Sequence, residues 1–156
     1  METSEMTLLR RLTATAFLMV ASSVSAFAGN LPELNLSNSG LALRGYDPVA
    51  YFTEGEPREG NAELAVSYKG GTYHFASQEH QDLFVANPDK YLPAYGGYCA
   101  YGTAVGVKVD GDPSLWTIVD GRLYLNINRG VDRTWRRDKA NFISQADANW
   151  PGLKFN

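Results

Sequence analysis

Two glycine-containing dipeptides constrain this chain most. Gly70-Gly71 and Asp120-Gly121 each stand between short apolar runs, and a two-residue glycine turn is the tightest way to reverse a strand. Leu64 to Lys69 alternates as a half-buried strand does, and Thr72 to Phe75 supplies a return strand. Leu115 to Val119 and Arg122 to Ile127 flank the second dipeptide in the same way. Two hairpins separated and followed by helical segments define an α+β class: a small single domain of β-hairpins with a short central helix and a C-terminal amphipathic helix.

The helices have their own signals. Ser77 is a sound N-cap for a helix through Ala86, and Asn87-Pro88 ends it. His80, Leu83, Phe84 and Asn87 then share one face, which turns His80 toward the core or a cleft beside it. The last element is expected from about Val131 to Trp150, with an apolar stripe of Val131, Trp135, Phe142, Ile143, Ala146 and Trp150, and Pro151 as its stop. Val49 to Phe52, after the Asp47-Pro48 turn signal, is expected as a short strand, and Val105 to Val109 alternates weakly. No internal repeat is visible.

The N-terminus reads as a targeting segment. Arg10 and Arg11 precede an apolar run from Leu12 to Val24, and Ala26-Phe27-Ala28 fits a small-x-small cleavage site. The run is shorter than the ~20 residues of a membrane-spanning helix. The expected division is therefore a signal peptide at 1–28, a flexible leader at 29–42 and the folded domain at 43–153. No second hydrophobic segment follows, so the mature chain is expected to have no stable membrane span and to be periplasmic or secreted.

Charge narrows the function classes. The chain of 156 residues has a formal net charge of −3, which argues against a nucleic-acid-binding surface. Arg133, Arg136 and Arg137 cluster, but Asp132 and Asp138 flank them, as on a solvated helix face. No Gly-x-Ser-x-Gly, phosphate loop or metalloprotease helix motif is present, so no enzyme class is assigned. A single cysteine, Cys99, excludes an internal disulfide. A lone thiol in an oxidising compartment is buried and inert, bound to something, or reactive.

Three segments in order resemble the YHS domain family. They are Gly45-Tyr46-Asp47-Pro48-Val49-Ala50-Tyr51-Phe52; Gly71 to Ser77 with Phe84, Asn87-Pro88 and Lys90-Tyr91; and Gly96-Gly97-Tyr98-Cys99-Ala100-Tyr101-Gly102. The tail through Leu115-Trp116, Leu123 to Asn126 and Trp150-Pro151 resembles the exported YHS-domain (seleno)protein subgroup, so the resemblance covers about Leu43 to Leu153. It implies a treble-clef-like core and a link to metal handling. Family members carry cysteines after Asp-Pro-Val, after the aromatic strand and in the helix. This chain has Ala50, Ala76 and His80 there, which puts a cysteine-rich zinc site out of the question. The subgroup can hold selenocysteine at the Cys99 position, which implies redox or soft-metal chemistry.

The leading expectation is a soft-metal module in which Cys99 and His80 form an N,S pair, with copper first and zinc second. A third ligand could come from His74, Asp47 or a tyrosine, although strand alternation turns His74 away from Tyr73 and Phe75. Tyr98, Tyr101 and Tyr51 are expected to wall the site and offer hydroxyl groups to a bound cofactor. The alternatives are a thiol redox protein reacting through Cys99 with a thiol partner, and a partner-binding domain whose Cys99 is inert.

Overall fold

The computed structural model describes residues 33–156; the signal-peptide assignment for 1–28 lies outside them. The elements in order are α1 (Ala50–Thr53), β1 (Asn61–Tyr68), β2 (Gly71–Phe75), α2 (Gln78–Ala86), α3 (Pro88–Tyr91), α4 (Ala100–Ala104), β3 (Asp112–Val119), β4 (Arg122–Asn126), α5 (Arg129–Arg137) and α6 (Lys139–Leu153). β1 pairs antiparallel with β2, and β3 with β4, as two separate two-stranded sheets. The fold is α+β, as expected. None of the described helices is long and apolar enough to cross a membrane.

Both turns are two-residue loops with two positive φ angles, the type whose twist matches the strands it joins. The second is Asp120-Gly121, as the sequence predicts (φ 49° and 75°). The first lies one residue earlier than expected. Lys69 and Gly70 make the turn (φ 47° and 86°), and Gly71 is already paired with Tyr68. A Cβ on Gly71 would meet the side chains of Leu34 and Leu36 at 3.1 and 3.2 Å, so that glycine serves packing. Leu34 and Leu36 belong to the stretch read as a leader. Its described part is tied to the body, since the Asn35 N–H donates to the Gly96 carbonyl (2.9 Å) and Leu36 bridges Ala42.

Four other local expectations change. Val49 to Phe52 does not enter a strand; it leads into and forms most of α1, because the Asp47 carboxylate accepts from the Val49 and Ala50 N–H groups and starts a helix. Val105 to Val109 forms a loop after α4, held where the Val109 carbonyl accepts from the Cys99 N–H (2.9 Å). The C-terminal helix is two helices. Asp138 leaves the helical region (φ −148°, ψ 59°) and its side chain caps α6 at the Asn141 N–H. Pro151 does not stop α6, which runs on to Leu153: so near the end, the missing proline N–H removes only one helical bond.

The core has three parts. Tyr73, Phe75 and Phe84 pack with ring centroids 5.0–5.1 Å apart beneath the first hairpin. Tyr124 and Trp135 do the same beneath the second, at 5.5 Å, with Ala146 of α6. Leu43, Tyr51, Leu123 and Leu125 join the two halves, with Trp116 edge-on to Tyr51 at 5.3 Å.

Burial raises the hydroxyls of Tyr51, Tyr73 and Tyr95 above the ordinary tyrosine range, Tyr73 to about 12. The folded state therefore keeps these protons at pH values where the unfolded chain has released them. Stability is fully present below about pH 9 and falls as pH rises toward 12, by about 1.4 kcal/mol per pH unit for each group in that window. Urea unfolding across pH 8–12 is expected to show this alkaline limb, and Tyr73→Phe to flatten it by one group's share.

Candidate functional site

Of the sequence-predicted residues, His80 and Cys99 fall into two buried polar networks whose hydrogen bonds share no residue. The first is built on Asp47, which is fully buried. Its Oδ1 accepts from the Val49 N–H (2.8 Å) and the Ala50 N–H (3.3 Å) at the start of α1. Its Oδ2 accepts from the Ala76 N–H (2.8 Å), just past β2, and lies 2.6 Å from His80 Nδ1 on α2. Ser77 caps α2 by accepting the N–H of His80 itself, which fixes where that side chain leaves the helix.

A carboxylate only accepts, so the proton between the two sits on Nδ1. The other ring nitrogen, Nε2, faces the Thr53 hydroxyl at 3.0 Å and Glu54 Oε1 at 3.6 Å. His80 is 6% exposed, and the Glu54 side chain near Nε2 is 29% exposed. Glu54, at the end of α1, thus stands beside the ring. Ala50, Ala76 and His80 are the three positions where the resemblance places family cysteines. All three do converge, and what they converge on is the Asp47 carboxylate.

The second network surrounds Cys99, which is fully buried and caps α4. Sγ accepts from the Gly102 N–H (3.4 Å) and donates to Asn126 Oδ1 (3.5 Å). The same Oδ1 accepts from the Tyr101 N–H (3.2 Å), and Asn126 Nδ2 donates to Asp132 Oδ1 (3.1 Å). Arg136 Nε holds the other Asp132 oxygen at 2.6 Å and donates through a second nitrogen to the Trp116 carbonyl. One of the three clustered arginines is therefore committed to a structural pair. Burial pushes the Cys99 thiol above its ordinary range. Backbone N–H groups of Gly102, Ile127 and Tyr101 oppose that rise, and the charge of Asp132 adds to it. The resting group is a neutral thiol.

His80 and Cys99 hydrogen-bond to different partners. Both His80 nitrogens and the Cys99 sulfur have partners of their own, so one ion bound by both would have to open each network. His74 is half-buried on the side of β2 away from Tyr73 and Phe75, next to Gly45 and Gly60, as strand alternation requires. Tyr51 is a core residue that donates to the Pro113 carbonyl (2.9 Å). Tyr98 donates to the Leu34 carbonyl at 3.5 Å, and the Tyr101 ring packs on Phe142 at 5.1 Å. Among the described residues, no cluster of three or more His, Cys, Asp and Glu side chains is placed to hold a metal ion. The sequence reading missed Asn126, Asp132 and Thr53. Asn126 carried a signal, being the polar residue at the end of the strand Leu123-Tyr124-Leu125.

A cleft of about 580 Å³ opens away from both networks, lined by Lys69, Lys90, Arg122, Lys154, Glu33 and Asp89. Three of its cations are paired: Lys69 with Asp89 and Lys154 with Glu33, both at 2.7 Å, and Arg122 with Asp147 at 3.2 Å. Its remaining positive charge is modest.

The first half of the chain is thus a hairpin-and-helix module that gathers three backbone positions around a buried polar centre. Residues 49–95 match the family model of the YHS domain. Neither a curated protein nor a solved structure matches the chain.

Removing the Asp47 carboxylate leaves His80 and three N–H groups without their acceptor. Asp47→Ala is expected to cost about 3–5 kcal/mol in urea unfolding. A thiol reagent is expected to leave Cys99 unmodified in the native state and to react fully in denaturant. Cys99→Ala, which strands the Gly102 N–H, is expected to cost about 1–3 kcal/mol.

Proposed function

We propose that this chain is an exported YHS-domain protein, periplasmic or secreted, whose domain binds a transition-metal ion at the outer edge of His80, copper first and zinc second. The observation that carries the reading is the Asp47 clamp. Metal-binding histidines commonly donate the far ring N–H to a carboxylate, which fixes the tautomer and raises the basicity of the nitrogen left over. His80 has that arrangement, with Nε2 turned toward Thr53 and the partly exposed Glu54. His80 and Glu54 would hold the ion, and an N,O donor set suits cupric copper and zinc. Two protein donors fall short of the three or four of a stable zinc site, so the remaining positions fall to water or to a partner, as suits a site that passes its ion on. Within the chain, Asp47 holds the proton on Nδ1 and orients the ring, and the burial of Asp47 keeps water from competing for that bond. Cys99 enters this reading only as a ligand released from Asn126 and Gly102.

A second reading rests on a different observation. Cys99 is wholly enclosed and its thiol is pushed up by burial, as in a partner-binding domain whose cysteine is inert. The thiol redox reading asks the same group to become exposed and ionised first.

The test is titration of the mature chain, purified from the periplasmic fraction, with cuprous copper, cupric copper and zinc. One ion per chain is expected for wild type and Cys99→Ser, with binding lost in His80→Ala. Loss in Cys99→Ser alone would move the ion to the thiol. A wild type that binds none of the three would remove the metal reading and leave the inert-cysteine domain.

A further inference from the structure

We infer that residues 93–143 are a second, diverged copy of the unit formed by residues 41–92, and that the two copies are folded against each other as built-in partners. The expectation of no internal repeat is overturned by the backbone.

The hairpins are the same object twice. Each has a first strand of 8 residues and a second of 5. Each breaks register at the same place, between Asn61 and Ala65 in one and between Asp112 and Trp116 in the other. Each turns through two residues of positive φ, Lys69-Gly70 and Asp120-Gly121. Two residues after each second strand stands an N-cap, Ser77 or Asn128, whose side chain accepts the N–H of the third residue of a 9-residue helix. Each helix ends on a residue in one unusual conformation, Asn87 (φ −153°, ψ 73°) and Asp138 (φ −148°, ψ 59°), and the next helix starts at once. Phe84 and Trp135 occupy the matching core position, fully buried, and Tyr73 and Tyr124 lie against them.

The segments before the hairpins agree as well. Leu41 bridges Thr72 as Pro93 bridges Leu123, and Tyr46 bridges Glu59 as Tyr98 bridges Asp110. Left-handed residues Leu43-Arg44-Gly45 recur as Tyr95-Gly96-Gly97. Gly60 and Gly111 both lie where a Cβ would strike the opposing strand, at His74 Cβ (2.6 Å) and Leu125 Cβ (2.8 Å). Ala50-Tyr51-Phe52-Thr53 recurs as Ala100-Tyr101-Gly102-Thr103, and each threonine hydroxyl donates one turn back, to the carbonyls of Val49 and Cys99. Coincidence of two hairpins does not produce this list, since loops, caps, bulges and bridges vary independently.

The copies meet across Leu43 and Tyr51 of the first and Trp116, Leu123 and Leu125 of the second. The matched stretch, 49–95, covers most of the first copy and the first three residues of the second, and Tyr51 within it packs against Leu123 and Leu125 of the second copy. Cys99 stands where Asp47 stands. The Asp47 N–H donates to the Arg58 carbonyl (2.8 Å) and the Cys99 N–H to the Val109 carbonyl (2.9 Å). Asp47 accepts the Ala76 N–H, and the Cys99 sulfur is reached by the matching N–H, that of Ile127. The second copy lacks the two residues that follow Asp47, so Cys99 also does the capping that Asp47 does in the first.

This equivalence has a test in the whole chain. An acceptor suited to the Asp47 cradle should also suit position 99, so Cys99→Asp and its neutral counterpart Cys99→Asn are compared with Ala100→Asp. Ala100 is equally buried, and its counterpart is Ala50. At least one position-99 variant is expected to fold, with a loss of Tm less than half that of Ala100→Asp. The amide protons of Gly102 and Ile127 are expected to move downfield in its ¹H–¹⁵N spectrum, as bonds to an oxygen replace those to sulfur. If both position-99 variants unfold like Ala100→Asp, or fold without moving those two amides, the equivalence is overturned.

Discussion

A buried carboxylate organises the first half of this molecule. Asp47 is withdrawn from water, which costs several kcal/mol unless hydrogen bonds replace the lost hydration. Three backbone N–H groups and an imidazole replace it. They come from α1, from the residue after β2 and from α2, so meeting the needs of one anion fixes the mutual placement of a helix, a hairpin and a second helix. The aromatic core of Tyr73, Phe75 and Phe84 supplies most of the apolar burial, and it is non-directional. The carboxylate supplies direction, and α2 can dock in one orientation only.

The second half meets the same requirement with a weaker acceptor. Sulfur accepts at 3.4 Å where each Asp47 oxygen accepts one N–H at 2.8 Å, and a neutral thiol does not need the hydration that a carboxylate does. The directional load then moves outward to Asn126, whose side chain ties Tyr101 of α4 and Asp132 of α5 to the end of β4. Arg136 closes that chain onto the Trp116 carbonyl of β3. The second copy's carboxylate, Asp132, is buried too, but it pairs with the partly exposed guanidinium of Arg136.

What the sequence made legible was chiefly local. Asp120-Gly121 and Ser77 act through their own side chains or conformations on adjacent backbone, and both did what their chemistry requires. Gly70-Gly71 misled by one residue because two glycines can both satisfy a turn, and only the packing of Leu34 and Leu36 decides which one does. α1 was hidden because its cap lies outside it, at Asp47, in an Asp-Pro pair that reads as a turn. The alternation that faces His74 outward and the helical spacing that turns His80 inward were both sound. The partners of His80 and Cys99 were not readable, because Asn126, Thr53 and Asp132 reach the two networks through tertiary contacts. The repeat was hidden for a related reason. Its shared features are bulges, caps and positive φ angles, which many residues satisfy, whereas the few shared identities, such as Gly60 with Gly111 and Tyr73 with Tyr124, are too sparse to show.

The two copies also bear on where ligand chemistry can lie. His80 is the third residue of α2, and the third residue of α5 is Val131. The imidazole is thus confined to the first copy, the one whose buried carboxylate can orient it, while the second has an isopropyl group where the ring would stand. The thiol is confined to the second copy, which has no imidazole to lower its pKa and which encloses it completely. Divergence has separated the two groups by placing one in each unit, and the Leu43, Tyr51, Leu123 and Leu125 seam lies between the units. A chemistry that needed nitrogen and sulfur on one ion would work against that arrangement. A chemistry that uses the imidazole edge alone works with it, and the second copy then contributes by covering the apolar face that the first would otherwise expose.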